Sequence, residues 1–282
     1  MKIDGRIIAS EIKANLTQKI SGLRQKNIIP QLAVVLIGND PSSEAYVRQK
    51  LKVGGEIGAK VTLIRLNPDD TKENLIKIVK KLNTDKSIHG IIIQRPSPIE
   101  ISKVELDLLV FPQKDVDGFH PDSPFTPPIA SAVLKILMYV QKDLHNSLDI
   151  TFNDWFKKQE VLVIGRGETA GKPIAETLNK LSNNITIAHS QTADLKNVCL
   201  ASDIIITCVG RPNVVQHDMV SPNTLLIGVG LHQENGKLKT DYNQEEIAGK
   251  VAYYTPVPGG VGPVNVACLF ENLIKSIRID FK

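Results

Sequence analysis

Tyr46 and Lys50 stand four residues apart in SSEAYVRQKLKVGGEIG, a spacing that puts both on one face of a helix. A lysine buried beside an aromatic ring has its pKa pulled toward neutrality, where an amine serves as both acid and base. The same pair also fits a core tyrosine with a solvated lysine, and the spacing leaves both readings open. Gln94 closes the apolar run IHGIIIQ. In open α/β sheets the carboxyl ends of strands line the ligand crevice, although a polar strand end is an equal alternative. Asp115 and Asp117 share the loop KDVDGFHP. Two carboxylates without a third nearby ligand make a poor metal site, so no metal is expected, and Asp-Gly is itself a turn signal.

A second chemistry is written in VLVIGRGETAGKP, where Gly165, Gly167 and Gly171 follow an apolar run in GxGxxxG spacing, with Arg166 in the loop and Lys172 and Pro173 opening the next helix. This is a variant of the dinucleotide fingerprint: a tight turn, room for a pyrophosphate, and helix N–H groups pointing at it. The tip of the following strand reads Ala188-His189-Ser190-Gln191 and carries no acid to accept from a ribose 2′-hydroxyl. One arginine and neutral donors suit a 2′-phosphate, which favours NADP and leaves NAD open. Further on, YTPVPGGVGP lacks the Gly-Lys-Ser/Thr of a P-loop. Pro258, Gly259 and Gly260 read instead as a rigid wall against a flat ligand.

The elements that must position these residues alternate. Ile7, Ile8, Ile12, Leu16, Ile20 and Leu23 follow helical spacing. QLAVVLIG is a strand buried on both faces, and residues 42–58 form a helix capped by Ser42 or Ser43. KVTLIRL, TKENLIKIVKKLN, IHGIIIQ and SKVELDLLV continue as strand, helix, strand and short helix. A helix over 129–142 leads into HNSLDITFNDWFKKQ, which holds the only tryptophan, Trp155. A second alternating series runs from EVLVIGRG through NITIAH, DIIITCV and TLLIGVG to VAYYTP, with a hairpin at Asn235-Gly236. VNVACLFENLIKSI is the closing helix. Strand–helix alternation calls for parallel sheets, here in two α/β lobes with a boundary near 120–150.

With 282 residues, 42% hydrophobic and 23% charged, the chain can bury a full core. A net charge of +4 with scattered lysines does not call for nucleic acid. Cys199, Cys208 and Cys268 lack CxxC spacing and read as free thiols in a reducing compartment. No apolar run is long enough to span a membrane, and MKIDGRIIASEIK carries charges where a signal peptide needs apolar residues. A cytoplasmic protein is expected.

YVRQK, HGIIIQRP, KDVDGFHP, the GRG-TAGKP loop and TPVPGGVGP occur in the order of one family. Nearly end to end, the chain resembles the bifunctional methylenetetrahydrofolate dehydrogenase/methenyltetrahydrofolate cyclohydrolases, the FolD family. The resemblance implies a two-lobe α/β protein: a three-layer catalytic domain over 1–125 that binds folate, a Rossmann-like NAD(P)-binding domain over 126–261, and a last helix, 262–282, packing back on the first lobe. It implies oxidation of 5,10-methylenetetrahydrofolate with NADP, hydrolysis to 10-formyltetrahydrofolate, and a homodimer. By position, Lys50 resembles the family's catalytic lysine, Tyr46 its folate-stacking tyrosine and Gln94 the glutamine that bonds the lysine. Asp117 is similar to the aspartate holding the pterin, Asp115 to a structural acid, and Pro258–Gly260 to the edge of the folate cleft.

The chain also departs from the family. PCTPRG appears as PFTPPI, so Pro128 replaces an arginine, and the loop before it is shorter. GRS has become Gly165-Arg166-Gly167, IDVG has become Ile227-Gly228-Val229-Gly230, HSRT has become HSQT, and Asn265 replaces a threonine. Most of these changes fall near the expected cofactor loop. A monofunctional cyclohydrolase with a degraded cofactor lobe and a silent folate-binding protein are the alternatives.

Overall fold

The computed structural model describes residues 1–145 and 150–279. Asn146–Asp149 of the segment containing Trp155, and residues 280–282 of the expected closing helix, lie outside the described residues. In chain order, α1 (Gly5–Arg24) is followed by β1 (Gln31–Ile37), α2 (Pro41–Ile57), β2 (Lys60–Leu66), α3 (Lys72–Thr84), β3 (Gly90–Ile93) and α4 (Lys103–Leu108). Then come α5 (Pro128–Leu144), α6 (Phe152–Phe156), β4 (Val161–Ile164), α7 (Gly171–Asn179), β5 (Ile185–Ala188), α8 (Leu195–Leu200) and β6 (Ile204–Thr207). The chain closes with β7 (Leu225–Gly228), β8 (Leu231–Glu234), β9 (Lys237–Thr240), α9 (Gln244–Ile247), β10 (Tyr253–Tyr254) and α10 (Val261–Ile279).

Two compact units emerge. One comprises Ser10–Pro128 with the chain from Val266 onward; the other comprises Met1–Ala9 with Ile129–Asn265. The first nine residues thus group with 129–265, unlike the 1–125 division expected from the sequence. The reason is backbone pairing: Ile3 N–H donates to the Tyr254 carbonyl and Gly5 N–H to the Gly259 carbonyl, both at 2.8 Å.

In the first unit a parallel sheet has the order β2-β1-β3. β1 is buried on both faces because its side chains are all apolar after Gln31. Ala33, Val35, Ile37, Ile91 and Ile93 pack against Leu75 and Val79 of α3 and Leu106 of α4. On the other face α10 closes in: a Cβ on Gly90 would lie 2.8 Å from Leu273, and one on Gly54 of α2 would lie 3.2 Å from Phe270. Helices on both faces make three layers. α2 is capped by Asp40 rather than by a serine, its carboxylate accepting from Ser43 N–H at 2.7 Å. Pro41 at the first helical position moves the helix start forward, and a carboxylate complements the helix dipole there.

The second unit holds a five-stranded parallel sheet, β10-β7-β6-β4-β5. Counted within this unit the strand order is 2-1-3-4-5, and the direction of winding reverses between β4 and β6. That reversal is where doubly wound folds bind ligands. The hairpin β8–β9 turns through Asn235 and Gly236, both at positive φ. The segment before β4 becomes α6, with Thr151 as its cap and Trp155 and Phe156 buried. Ile7, assigned to the apolar face of α1, is instead 51% exposed.

Candidate active site

Within the first unit the structure brings Lys50, Gln94 and Asp117 together. The third turn of α2 carries Lys50 into the interior, where it is only 8% exposed. Gln94 follows β3, its N–H donating to the Val35 carbonyl at 2.8 Å, so the parallel sheet fixes its Cα. Lys50 Nζ donates to Gln94 Oε1 at 2.6 Å. Gln94 Nε2 in turn donates to the Arg95 carbonyl at 3.0 Å, which leaves the amide oxygen for the lysine. Burial pulls the Lys50 ammonium below the ordinary lysine range, and the Asp117 carboxylate pulls partly the other way. Tyr46, one turn back along α2, is half-buried, and burial raises its phenol pKa.

The Asp117 loop is pinned on both sides. The buried Asp115 carboxylate accepts from Gly118 N–H at 3.2 Å and from His120 N–H at 2.7 Å. Burial, with the Asp117 charge nearby, raises Asp115 to about 6 despite those donors. Asn272 of α10, fully buried, donates to the carbonyls of Val116 at 3.0 Å and Thr126 at 2.9 Å. Burial also raises Asp117, while the charges of Lys50 and Arg95 draw it back down. Sequence reasoning missed Asn272, Arg95, Phe119 and Asp107. A polar residue on the apolar face of the last helix was the one available signal for Asn272. The others sit among ordinary loop and helix residues. Arg95 forms an ion pair with Asp107, and its guanidinium lies 4.1 Å from the centre of the Phe119 ring.

In the second unit the glycine loop leaves β4 at the point where the sheet reverses. Gly165 adopts φ +106°, and α7 begins at Gly171. A Cβ on Gly171 would lie 2.0 Å from the Gly165 carbonyl oxygen, so only glycine lets the helix start against the turn. A Cβ on Gly167 would meet nothing within 4 Å. Arg166, Gly167 and Lys172 are exposed and Pro173 is buried. This open cradle at a helix N-terminus fits a pyrophosphate. His189, half-buried, follows β5 with its N–H on Thr192 Oγ1 at 2.8 Å, and Ser190 is exposed.

The loop after β6 is held by a residue the sequence did not announce. The fully buried Asp241 accepts the N–H groups of Val209, Gly210 and Arg211 at 2.7–2.9 Å. At Gly228, where the family has aspartate, a Cβ would lie 2.1 Å from Thr240 Oγ1, so a larger residue there would have to displace the Thr240 side chain. Pro258, Gly259 and Gly260 belong to this second unit and pack around the start of α1. A Cβ on Gly5 would lie 1.9 Å from the Gly260 carbonyl oxygen, and one on Gly260 would lie 2.5 Å from that of Pro256. Close backbone packing within the unit therefore accounts for Gly5 and Gly260, and a φ of +101° for Gly259. Cys199 and Cys268 are buried, Cys208 is partly buried, and all three are free thiols. Among the described residues no cluster of acids, histidines and cysteines could hold a metal ion, and no helix is long and apolar enough to cross a membrane.

Fold and site define the class: a two-unit α/β protein with a buried lysine site in one unit and a dinucleotide-type glycine loop in the other. Residues 3–117 match the catalytic domain of the tetrahydrofolate dehydrogenase/cyclohydrolases, and residues 147–281 match their NAD(P)-binding domain. A bifunctional protein FolD from Exiguobacterium sibiricum is 36% identical over 98% of this chain and 99% of its own. The crystal structure of the bifunctional FolD enzyme from Campylobacter jejuni superposes with a TM-score of 0.90 at 33% identity, covering 99% of each chain. That of the Trypanosoma brucei enzyme, complexed with NADP cofactor and inhibitor, gives a TM-score of 0.88 at 30% identity, covering 100% of this chain and 98% of its own. The chain belongs to the tetrahydrofolate dehydrogenase/cyclohydrolase family. Its work is that family's pair of reactions on one-carbon tetrahydrofolates, a dehydrogenation and a ring-opening hydrolysis.

Proposed function

We propose that Lys50, Gln94, Tyr46 and Asp117 carry the folate chemistry, and that Gly165–Pro173 with His189 and Ser190 holds NADP. The substrate is 5,10-methylenetetrahydrofolate, oxidised to the methenyl form and then hydrolysed to 10-formyltetrahydrofolate. The 2.6 Å bond between the buried Lys50 and Gln94 carries this reading.

NADP supplies the hydride acceptor for the first reaction, which depends on positioning more than on proton transfer. Asp117 accepts from the donor edge of the pterin, and Tyr46 lies flat against its rings. In the hydrolysis water adds to the methenyl cation and a C–N bond then breaks; the water loses both protons, one released to solvent and the other reaching the ring nitrogen. Lys50, its pKa lowered by burial, can take up and return that proton near neutral pH. Gln94 accepts from the amine without adding charge and holds it in place. The tip of β5 offers His189 and Ser190 and no carboxylate, which supports NADP over NAD. Pro258–Gly260 are assigned to the folate side, on the motif they share with the family. The resemblance also supports a homodimer in the cytoplasm.

Lys50→Met tests the assignment. Cyclohydrolase turnover should fall by about 100-fold or more, the share a positioned acid–base contributes, while folate still binds. Full cyclohydrolase activity in that variant would remove Lys50 from its role.

A further inference from the structure

We propose that Arg95 is a positioning residue for the folate reactions, clasping the strand end that carries Gln94 to the loop that carries Asp117. The proposal rests on the assignment of Lys50, Gln94 and Asp117 made above. Its ground is that one residue reaches both halves of the site through different atoms. The Arg95 carbonyl accepts from Gln94 Nε2 at 3.0 Å and from Ser43 Oγ at 3.4 Å. An amide whose NH2 is engaged there can only turn its oxygen toward Lys50. The side chain faces the other way in its contacts: the guanidinium lies 4.1 Å from the ring centre of Phe119, two residues beyond Asp117.

The guanidinium is itself held. Asp107 of α4 pairs with Arg95, and its second oxygen accepts from Lys103 Nζ at 2.7 Å. Asp107 is buried and the Arg95 side chain is 15% exposed, so both interactions act largely out of water, where they are stronger than at a surface. A planar guanidinium can pair with a carboxylate while stacking on a ring, and an ammonium cannot do both. The charge matters as well, since Lys50 and Arg95 both favour ionised Asp117 against burial, and the Asp117 charge in turn raises Asp115. Arg95 therefore supplies two separable things: a geometric tie through Phe119, and a positive charge that draws Asp117 down against burial.

Arg95→Leu removes both, Arg95→Lys only the tie. In the leucine variant the KM for methylenetetrahydrofolate should rise roughly tenfold, with dehydrogenase kcat within about twofold, as for loss of uniform binding. The KM for NADP should not change. The acid limb of the folate-dependent activity should move to higher pH, because Asp117 loses a stabilising cation. Arg95→Lys should restore the limb but leave the folate KM raised. Phe119→Leu should raise that KM without moving the limb, and should add little to Arg95→Leu in the double variant. If Arg95→Leu does not fold, Asp107→Asn, which keeps the arginine but frees its guanidinium, should raise the folate KM to a smaller degree.

An unchanged folate KM in the leucine or asparagine variant would overturn the proposal. So would equal losses of folate and NADP affinity, or full recovery of KM by lysine. Lys50→Met, run alongside, separates the two claims. If it keeps cyclohydrolase activity, the site assignment fails. If it loses that activity while Arg95→Leu behaves as wild type, only the clasp fails.

Discussion

The two halves of this molecule's chemistry are built from different materials. On the proposed folate side the groups are side chains taken out of water and tied to one another: Lys50 to Gln94, Gln94 to the Arg95 carbonyl, Asp115 to two backbone N–H groups. Burial sets their proton affinities. On the proposed cofactor side the group that matters is backbone. Gly165 and Gly171 fit together so closely that no side chain is tolerated, Gly167 faces open space, and the neighbouring side chains are exposed. The contrast follows from the ligands. A pterin needs directional donors and acceptors and a proton shuttle, whereas a pyrophosphate needs N–H groups, a helix dipole and room.

The strongest way to break this comparison is Gly171→Val. Its Cβ would sit 2.0 Å from a backbone oxygen with no flexible end to yield, so the turn and the start of α7 must separate. Overpacking of this kind costs about 1–3 kcal/mol, and here it falls on the cofactor cradle. NADP-dependent oxidation should be lost to below about a hundredth of wild type, the penalty for misplacing a reactant. Cyclohydrolase activity should persist, because Lys50, Gln94 and Asp117, proposed to carry it, lie in the other unit. Assaying both reactions on one preparation decides the matter, and parallel loss of the two would end the division of labour.

The contrast also explains what could be read from the chain. Buried parallel strands announce themselves as apolar runs, so β1, β3, β4 and β6 were legible, as was the Asn235-Gly236 hairpin. The glycine loop was legible because backbone chemistry leaves a spacing in the sequence. The lysine site was not, since Tyr46 and Lys50 at helical spacing fit an ordinary amphipathic helix equally well. Only the resemblance raised them above that reading. Asn272, Arg95 and Asp241 escaped because their partners are carbonyls, N–H groups and rings far away in sequence, which leave no local pattern. The Pro258–Gly260 run was legible as rigid, but its close contact with Gly5 joins segments some 250 residues apart. The cap of α2 was misplaced because Pro41 rather than the serines sets the start of that helix.

A middle-sized effect tests the folate side's dependence on burial. Asp115 has a folded pKa of about 6 against 3.8 for an ordinary aspartate. The folded protein therefore binds more protons than the unfolded chain between those values. The stability this carboxyl contributes is full below pH 3.8 and is lost as pH rises through 6, by up to about 3 kcal/mol. Asp115→Asn cannot titrate. The difference in unfolding midpoint between wild type and variant should shrink as pH is raised from about 4.5 to about 7.5, across that window. A difference that is flat or grows with pH would show that Asp115 ionises freely in the fold, and that the loop before Asp117 is wetter than its burial implies.

The smallest expected effect probes the openness of the cofactor side. Gly167 stands where the family has serine, and a Cβ there meets no atom within 4 Å. Gly167→Ser should therefore fold without strain, and its melting temperature should match wild type to within about 2 °C or rise slightly, since glycine costs more chain entropy on folding. A hydroxyl beside the N-terminus of α7 can donate to a phosphate oxygen. One net hydrogen bond is worth about 0.5–1.5 kcal/mol, so NADP should bind roughly threefold tighter by calorimetry. The KM for methylenetetrahydrofolate and the cyclohydrolase rate should stay put, because Lys50, Gln94 and Asp117 belong to the other unit. Weaker NADP binding would mean that the space beside Gly167 is taken by the cofactor itself. The glycine would then belong to the fit, like Gly171, and the loop would be a closed cradle rather than an open one.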